Sequence, residues 1–323
     1  MSPFERIIPA IDLPDSLWAD EILRIAPRLA DAYRDSIAAH NLTRISLARS
    51  PKVSPVGGTT PQAADEHFAQ AFDGSAARTE LAFLDPKEEV VNVADALAKV
   101  GAGGRIAVLD LPSGAGAFSL AFLCTLAELR ARDAVPRVPL EAVVIGGELN
   151  SRATHYAKDL YGRVRHLLAA QAVDVEYKPM HWDVCDPIST AMVLKRFVAD
   201  ADMATRKLVV VSNFSGFMKT RGKRKEAEPQ LDEVFRFCTG ARSTALWIEP
   251  QTNAATDAGG VLQWVVDMVT RRLPRVAEFV GLAPGQAEAP AMTQVGFALP
   301  LFPGRTSVVR LAILRFDLRD TAP

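Results

Sequence analysis

The sequence has few cysteines, no long apolar run and almost no net charge, and each of these absences excludes a class of protein. Its 323 residues include three cysteines, at positions 124, 185 and 238. They lie more than 50 residues apart, which is unlike the spacing of metal-ligating cysteines. We therefore predict no metal site and interpret the cysteines as buried thiols in a reducing compartment.

Signals for export, membrane insertion and nonspecific nucleic-acid binding are missing as well. The stretch MSPFERIIPAIDLP lacks a basic region followed by an apolar core, so it does not resemble a secretory signal. No run of about 18 apolar residues occurs, which argues against a membrane-spanning helix. The formal charge of −1 creates no global basic field. These features predict a soluble, cytoplasmic protein without a membrane partner, and they leave the oligomeric state undetermined.

The first hundred residues are predicted to be helical. Apolar positions recur at three- and four-residue steps over residues 14–42, where Pro27 is expected to kink or divide the helix. Residues 48–62 concentrate Pro, Gly, Ser and Thr, which is typical of a long loop. Helical patterns resume at residues 63–72 and continue after the segment DGSAART. We predict that residues 1–100 form an N-terminal helical cap, with the long loop or a DGSAART turn as a lid.

From residue 101 onwards, strand patterns alternate with helical ones. Five buried strand patterns are RIAVLD, LEAVVIGGE, VDVEYKPMHWD, KLVVVSNF and STALWIEP, and the fifth precedes a predicted helix over residues 257–280. Such alternation predicts a parallel, doubly wound sheet. TQVGFAL and TSVVRLAILRFDL then predict a C-terminal hairpin at an antiparallel edge. The expected class is α/β: a mostly parallel seven-stranded sheet over residues 101–323, plus the helical cap.

The stretch LDLPSGAG, which joins the first of these strands to its helix, carries the main functional signal. Ligands of open α/β sheets bind beyond the carboxyl ends of the strands, where Gly114 and Gly116 would let the backbone approach them closely. Ser119 stands in the third glycine position of the dinucleotide fingerprint, and Asp110 closes the strand. A carboxylate at this corner disfavours a pyrophosphate and favours an ammonium or a hydroxyl-rich group.

This corner and the strand ends after it resemble class I S-adenosylmethionine-dependent methyltransferases over residues 105–318. LDLPSGAG matches the acid and alternating glycines of that family's first motif, with Pro112 at the usual first-glycine position. The resemblance implies that Glu148 pairs with ribose hydroxyls, that Asp183 reaches the adenine amine and that the last strand inserts antiparallel. The residues that it places around S-adenosylmethionine are Asp110, Pro112, Ser113, Gly114, Gly116, Glu148, Leu149, Asp183, Val184 and Asn213.

The methyl acceptor is less well defined than the cofactor. The cofactor carries the reactive group, so no catalytic dyad is required and no catalytic residue is assigned. SNFSGF stands where the family's acceptor motif lies, but it lacks the two prolines of enzymes that methylate exocyclic amines of bases. We predict that Phe214 and Phe217 bind the acceptor, with burial of Phe214 in the core as the alternative. The basic segment at residues 219–225 suggests RNA, DNA or another anionic acceptor, or else a solvated surface; its predicted contacts are Lys219, Lys223 and Arg224.

Two other classes of function are compatible with parts of the sequence. A nicotinamide-dependent oxidoreductase is disfavoured by Asp110 before the glycines and by the missing third glycine. It is also disfavoured because no clear acid follows Gly116 by about 20 residues on a second strand. A noncatalytic binding protein could retain the fold without turnover, and the irregular SNFSGF segment is compatible with that. Cofactor binding distinguishes the oxidoreductase, and turnover of labelled cofactor distinguishes the binding protein.

Overall fold

The computed structural model describes residues 6–48, 59–221, 223–240, 242–256, 260–273, 277–279 and 290–319. The N-terminal part contains β1 (Trp18–Ala19), β2 (Ile22–Leu23), α1 (Pro27–Ala39), α2 (Thr43–Leu47), α3 (Pro61–Leu84) and α4 (Val91–Gly101). The following elements are β3 (Gly104–Leu111), α5 (Ala117–Ala131), β4 (Leu140–Glu148), α6 (Ser151–Ala169), β5 (Val173–His181), α7 (Pro187–Ala201) and β6 (Arg206–Ser212). The last are α8 (Ser215–Arg221), α9 (Arg224–Phe237), β7 (Ser243–Pro250), α10 (Asn253–Thr256), α11 (Val261–Arg272), β8 (Ala277–Phe279), β9 (Ala291–Ala298) and β10 (Thr306–Leu318).

The central sheet confirms the predicted fold class. Its strand order is β1-β2-β9-β10-β7-β6-β3-β4-β5, and β8 pairs with β10. The strands β3 to β7 pair in parallel with one another, because a helix returns the chain to the same end of the sheet each time. The strand β10 lies between β7 and β9 and is antiparallel to both. The fold is therefore α/β and doubly wound, with seven main strands and an antiparallel C-terminal hairpin.

The prediction of a helix over residues 14–42 is wrong in its first half. Trp18 pairs with Leu23 in the hairpin of β1 and β2. Asp20 and Glu21 at its tip have φ angles of 54° and 57°. Two consecutive left-handed residues give the turn whose twist suits a two-residue hairpin. The helix begins only at Pro27, which starts α1 instead of dividing a longer helix, because its fixed φ suits a first helical position.

The predicted position of the C-terminal hairpin at the sheet edge is also wrong. The strand β2 pairs in parallel with β9, through Ile22 with Gly296 and Leu23 with Phe297. The hairpin of β9 and β10 is therefore covered by the N-terminal hairpin. Gly296 permits this approach, because a Cβ there would lie 2.7 Å from Ile22 Cδ1.

The segment DGSAART lies inside α3 and forms no turn. Two of its polar contacts lie within the helix: the Gly74 N–H donates to Asp73 Oδ1 (2.7 Å), and the Ser75 hydroxyl donates to the Ala71 carbonyl (3.1 Å). The lid predicted at this segment is therefore wrong. The other predicted lid, residues 48–62, lies mostly outside the described residues.

Between β7 and β9, the helix predicted over residues 257–280 is shorter than expected. The helix α11 spans Val261–Arg272, and β8 pairs with β10 instead of extending that helix. Among the helices that the structure describes, none combines the length and the apolar character needed to cross a bilayer.

Helices cover both faces of the sheet. On one face α1, α3, α5 and α6 share an apolar cluster that includes Tyr33, Phe122 and Tyr156. On the other face α7, α9 and α11 pack around Phe235 and Trp247. The first cluster contains residues from both sides of position 100, so the N-terminal helices share the core of the sheet. The division into regions 1–100 and 101–323 stays a prediction.

Glu80 of α3 is fully buried where α1 and α5 meet that helix. Its Oε1 accepts hydrogen bonds from the Ala26 N–H (2.8 Å) and the Thr125 hydroxyl (3.1 Å). Its Oε2 is buried without a partner among the described residues. Burial raises the pKa of Glu80 from 4.5 to about 8. Glu80 is therefore protonated in the folded protein at neutral pH, whereas it ionises in the unfolded chain.

We expect Glu80 to lower the free energy of unfolding as pH rises from about 4.5 to about 8. The unfolded chain releases its proton at the lower pKa and the folded protein only at the higher one, so alkaline conditions favour unfolding. Glu80→Gln keeps both hydrogen bonds without a charge, and its stability advantage over the wild type should grow across this range. Denaturant titrations at several pH values measure this, with Glu233→Gln on exposed α9 surface as the charge-matched control. Parallel pH curves for wild type and Glu80→Gln would contradict the prediction.

Candidate functional site

The carboxyl ends of β3, β4 and β6 open into a cleft beneath α3. The space between the protein atoms of the cleft amounts to about 870 Å³ when the open solvent at its mouth is included. This edge of the sheet is where open α/β folds bind their ligands. The lining residues are Ala64, His67, Phe68, Phe72, Ser75, Pro112, Ser113, Gly114, Ala115, Ala117, Glu148, Leu149, Asn150, Ala153, Ser212, Asn213, Phe214 and Phe217.

The corner between β3 and α5 is tied to the end of β4. The Ser113 N–H donates to the Gly147 carbonyl (2.8 Å), and the Gly114 N–H donates to Glu148 Oε2 (3.0 Å). Gly114 has a φ of 54°, and a Cβ built on it would meet no atom within 4 Å. The missing side chain at Gly114 therefore leaves open space in the cleft wall.

Gly116 serves the packing of α5 instead. Its φ is 77°, and a Cβ there would lie 3.2 Å from Leu120 Cδ1 and 3.4 Å from Tyr161 Cε2. It does not line the cleft. The two positions of the motif therefore require glycine for different reasons. Of the two, only Gly114 faces the space where a ligand would bind.

Glu148 presents its carboxyl group to the cleft at the end of β4. Its Oε1 accepts from the Asn150 N–H (2.8 Å), while Oε2 accepts from Gly114 as described above. Burial raises the pKa of Glu148, and the backbone hydrogen bonds oppose this rise. Pro112 and Leu149 line the cleft beside it. A carboxylate held in this way retains lone pairs that can accept hydroxyl hydrogen bonds.

Asp110 lies beneath the cleft and forms no part of its wall. It is fully buried, and its Oδ2 accepts from the Ser119 hydroxyl (2.8 Å). Burial raises the pKa of Asp110 to about 7. Ser119, in the position of the missing third glycine, thus bonds the carboxyl group inside the protein. Asp110 is thus placed under the corner, and its predicted contact with a ligand stays a prediction.

Asp183 and Val184 are not brought to the cleft. Asp183 Oδ1 accepts from the Cys185 N–H (2.9 Å), and the Asp183 N–H donates to Ser189 Oγ (2.9 Å). These contacts organise the turn before α7. Val184 is buried in the apolar cluster on the second face of the sheet. Their predicted contact with adenine is not supported by this position.

The end of β6 supplies Asn213, Phe214 and Phe217 to the cleft. The two phenyl rings are stacked, with centroids 5.3 Å apart and planes inclined by 6°. Phe214 is also 4% exposed and belongs to the apolar cluster around Trp247. It therefore serves the core as well as the cleft wall. Because β3 lies between β4 and β6, Asn213 and Glu148 stand on opposite sides of the cleft.

The basic segment at residues 219–225 covers the end of α8 and the start of α9, so it is not a simple loop. The side chain of Lys219 lies outside the described part of the structure. Lys223 Nζ lies 2.6 Å from Glu226 Oε2. Neither Lys223 nor Arg224 lines the cleft. Their contact with an acceptor stays a prediction.

The face that α3 presents to the cleft was not among the predicted site residues. It consists of Ala64, His67, Phe68, Phe72 and Ser75. Apart from the adjacent pair His67 and Phe68, these positions are spaced three or four residues apart, as one helix face requires. The sequence shows this helix face only if α3 is taken as one continuous helix. The predicted turn at DGSAART divided the helix, so the face was missed.

Polar contacts fix α3 above the cleft on two sides. Towards the start of the helix, Asp65 Oδ1 accepts from Arg152 Nε (2.8 Å) and from the Tyr156 hydroxyl. Farther along, Arg78 Nε and Nη2 donate to Asn213 Oδ1 at 3.0 and 2.6 Å. The helix therefore bridges α6 and the end of β6.

Two basic groups of α3 have pKa values lowered by burial. Burial, with Arg78 nearby, lowers the pKa of His67 from 6.5 to about 4, so its imidazole is neutral at pH 7. Burial also lowers the pKa of Arg78 to about 10, against the opposing effect of Glu249 and Asp73. The guanidinium therefore stays charged at pH 7. Within the described residues, no group of three or more His, Cys, Asp or Glu side chains is placed to hold a metal ion.

Of three comparisons with known proteins, only the comparison with solved structures finds similar chains. No protein-family model matches the sequence, and a search among curated proteins finds no match. Precorrin-6y C5,15-methyltransferase from Geobacter metallireducens GS-15 overlaps with a TM-score of 0.34 and 11% identity, covering 70% of this chain and 88% of that one. A chain described as a modification subunit of a type I restriction enzyme, from Vibrio vulnificus YJ016, overlaps with a TM-score of 0.32 and 14% identity. That overlap covers 80% of this chain and 52% of the other, so this chain spans about half of its length. The fold assignment rests on the strand order itself.

Proposed function

We propose that this protein is an S-adenosylmethionine-dependent methyltransferase. The observation that carries the proposal is the open backbone of Gly114 hydrogen-bonded to Glu148 in the cleft wall. A carboxylate beside an uncrowded backbone suits a nucleoside whose ribose hydroxyls donate hydrogen bonds. The strand order, with β10 antiparallel between β7 and β9, is the order that the family resemblance implies.

The residues of the cleft fit such a cofactor. The fit rests on the lining, which combines the carboxyl group of Glu148, the open backbone of Gly114 and apolar aromatic walls. Glu148 would hold the ribose, and Pro112, Ser113, Gly114 and Leu149 would line its surroundings. When bound, the cofactor would supply a methyl group on a sulfonium as the electrophile.

The chain itself would contribute orientation and exclusion of water. Glu148 is held by two backbone N–H groups before any ligand arrives. Phe68, Phe72 and Phe217 make the facing walls apolar. Holding two reactants in line in a dry cleft removes much of the entropic barrier to their reaction. The arrangement therefore needs no nucleophilic side chain.

Calorimetric titration of the full chain tests the proposal. S-adenosylmethionine and its demethylated product, S-adenosylhomocysteine, should both bind at one site, and NADH should not compete. Tight binding of NADH without a response to either sulfur compound would instead identify an oxidoreductase. If both sulfur compounds bind but a cell extract shows no turnover of labelled cofactor, the chain is a noncatalytic binding protein.

We also propose a polyanionic acceptor, such as RNA, that contacts the described basic residues near the start of α9. Replacing Lys223, Arg224 and Lys225 by glutamine should weaken binding of a mixed-sequence single-stranded RNA. The slope of log affinity against log salt should flatten by about 0.7 for each lost phosphate contact, because fewer counterions are released. S-adenosylhomocysteine affinity should not change, because that ligand carries no phosphate.

The control for this experiment neutralises Lys99, Lys158 and Lys195, three exposed lysines on other helices. It makes the same change in net charge away from α9. If both triple variants have the wild-type salt slope, the basic segment is a solvated surface, as its Lys223–Glu226 ion pair would suit.

A further inference from the structure

The side-chain amide of Asn213 is held in one orientation. Both Arg78 Nε and Arg78 Nη2 donate to it, at 3.0 and 2.6 Å. A guanidinium has donors and no acceptor, so the atom facing it must be the carbonyl oxygen Oδ1. Rotating the amide by half a turn would set its NH₂ group against the N–H groups of Arg78. The Asn213 amide therefore has Nδ2 directed away from Arg78.

The backbone around Asn213 is fixed as well. Its N–H donates to the Ile248 carbonyl (2.8 Å), and its φ is 55°. The next two N–H groups, of Phe214 and Ser215, both donate to the buried Glu249 Oε1 at 3.0 Å. Since Asn213 lines the cleft and Nδ2 has no acceptor among the described residues, its two N–H groups are available to a ligand.

The neighbouring walls are flat and uncharged. Phe217 lines the cleft with its ring stacked on Phe214, and Phe72 lines it from α3. His67, with its pKa lowered to about 4 by burial, adds a neutral imidazole. Such walls suit a planar conjugated ring, because aromatic rings pack favourably face to face or edge to face.

We infer that this side of the cleft selects a planar ring whose carbonyl oxygen accepts a hydrogen bond from Asn213 Nδ2, and rejects a ring that offers an amino group there. An amino group would place donor against donor and leave both unsatisfied in a partly buried site. Only the role of the ring as methyl acceptor rests on the proposed function. The selection itself rests on Arg78 and Asn213.

Two ring-matched probes test the inference: 2-acetylnaphthalene, which accepts a hydrogen bond, and 2-aminonaphthalene, which donates one. Each is titrated into the full chain with and without S-adenosylhomocysteine. We expect the acetyl compound to bind at least about tenfold more tightly, the usual scale of penalty for an unsatisfied donor.

Asn213→Asp provides the decisive variant. It keeps an oxygen towards Arg78 but turns the cleft-facing atom from a donor into an acceptor, so the preference should invert in favour of 2-aminonaphthalene. Asn41→Asp is the matched control, because Asn41 is exposed, has a φ of 58° and gains the same charge. It should retain the wild-type ratio. Arg78→Leu, which frees the amide to rotate, should bring the ratio close to one without adding a negative charge.

The outcomes separate this inference from the proposed function. Absence of S-adenosylhomocysteine binding together with the expected probe ratios would reject the methyltransferase and keep the selection. The selection is overturned if S-adenosylhomocysteine binds but the two probes bind equally well or not at all. It is also overturned if Asn213→Asp leaves the ratio of the two probe affinities unchanged. If Asn213→Asp does not fold, an unchanged ratio in Arg78→Leu overturns it.

Discussion

Gly114→Arg is expected to abolish binding of S-adenosylmethionine and S-adenosylhomocysteine. The space beyond Gly114 is empty of protein atoms within 4 Å of an added Cβ, so an arginine there would extend into the cleft. It would occupy the volume beside Glu148 that the proposed cofactor needs. Calorimetry should show no heat of binding at ligand concentrations that saturate the wild type.

The control for this variant must carry the same backbone strain, since Gly114 has a positive φ that costs a side chain about 1–2 kcal/mol. Gly304 meets that requirement. Its φ is 77°, an added Cβ would also meet nothing within 4 Å, and it lies in the exposed turn between β9 and β10. Gly304→Arg should bind the cofactor like the wild type. A folded Gly114→Arg protein with undiminished affinity would show that the cofactor site lies elsewhere.

Gly147→Ala should destabilise the protein by about 1–3 kcal/mol, as overpacking of a filled core does. Gly147 lies in β4 between β3 and the turn after β5. A Cβ on it would overlap the buried Leu111 Cδ2 and approach Trp182 Cβ to 3.0 Å. Leu111 and Trp182 are 0% and 2% exposed, so neither has room to withdraw.

The measurement is the free energy of unfolding from denaturant titration. Gly162→Ala is the control, since Gly162 lies on an exposed part of α6 with nothing within 4 Å of an added Cβ. Alanine there should stabilise the protein by up to about 1 kcal/mol through helix propensity. A Gly147→Ala protein as stable as Gly162→Ala would mean that the strand end can open without cost.

The sheet was predictable because its strands carry their own local signal. Buried parallel strands read as short apolar runs, and RIAVLD, LEAVVIGGE and STALWIEP are such runs separated by amphipathic helices. The antiparallel insertion of β10 followed from the family resemblance, not from the strand pattern. The residues of β10 alone do not predict which two strands it lies between.

The N-terminal errors have a common physical origin. Trp18 and Ile22 are four residues apart, which suits a helix, yet Trp18 pairs with Leu23 in a hairpin and Ile22 pairs with Gly296 of β9. The turn at Asp20 and Glu21 contains no glycine to signal its left-handed backbone. At Gly74 the opposite happened: the sequence predicted a turn, but the residue lies inside α3. The packing of α3 against the sheet outweighs the low helix propensity of glycine there. In both cases tertiary contacts overrode the local pattern.

The candidate site likewise has a part that the sequence predicts and a part that depends on tertiary contacts. Gly114, Glu148 and Asn213 follow strand ends, so their convergence on one cleft follows from the parallel sheet. Arg78 comes from a helix far away in the sequence, and its approach to Asn213 depends on how α3 packs. Asp110 also lies near a strand end, but it is buried there and accepts a hydrogen bond from the Ser119 hydroxyl. The tertiary partners of these side chains are the part that a strand pattern does not encode.

The place of β10 in the sheet has a consequence for synthesis of the chain. Residues 306–318 leave the ribosome after β7 and β9 have been made, yet they fill the gap between them. Until then β7 keeps an unpaired edge, and β9 has no neighbour on the side where β10 will lie. Open edges of this kind invite pairing with other chains. A chain that folds as it is synthesised would therefore hold its sheet in two separate pieces until β10 arrives, and its open strand edges would be most exposed to aggregation in that interval.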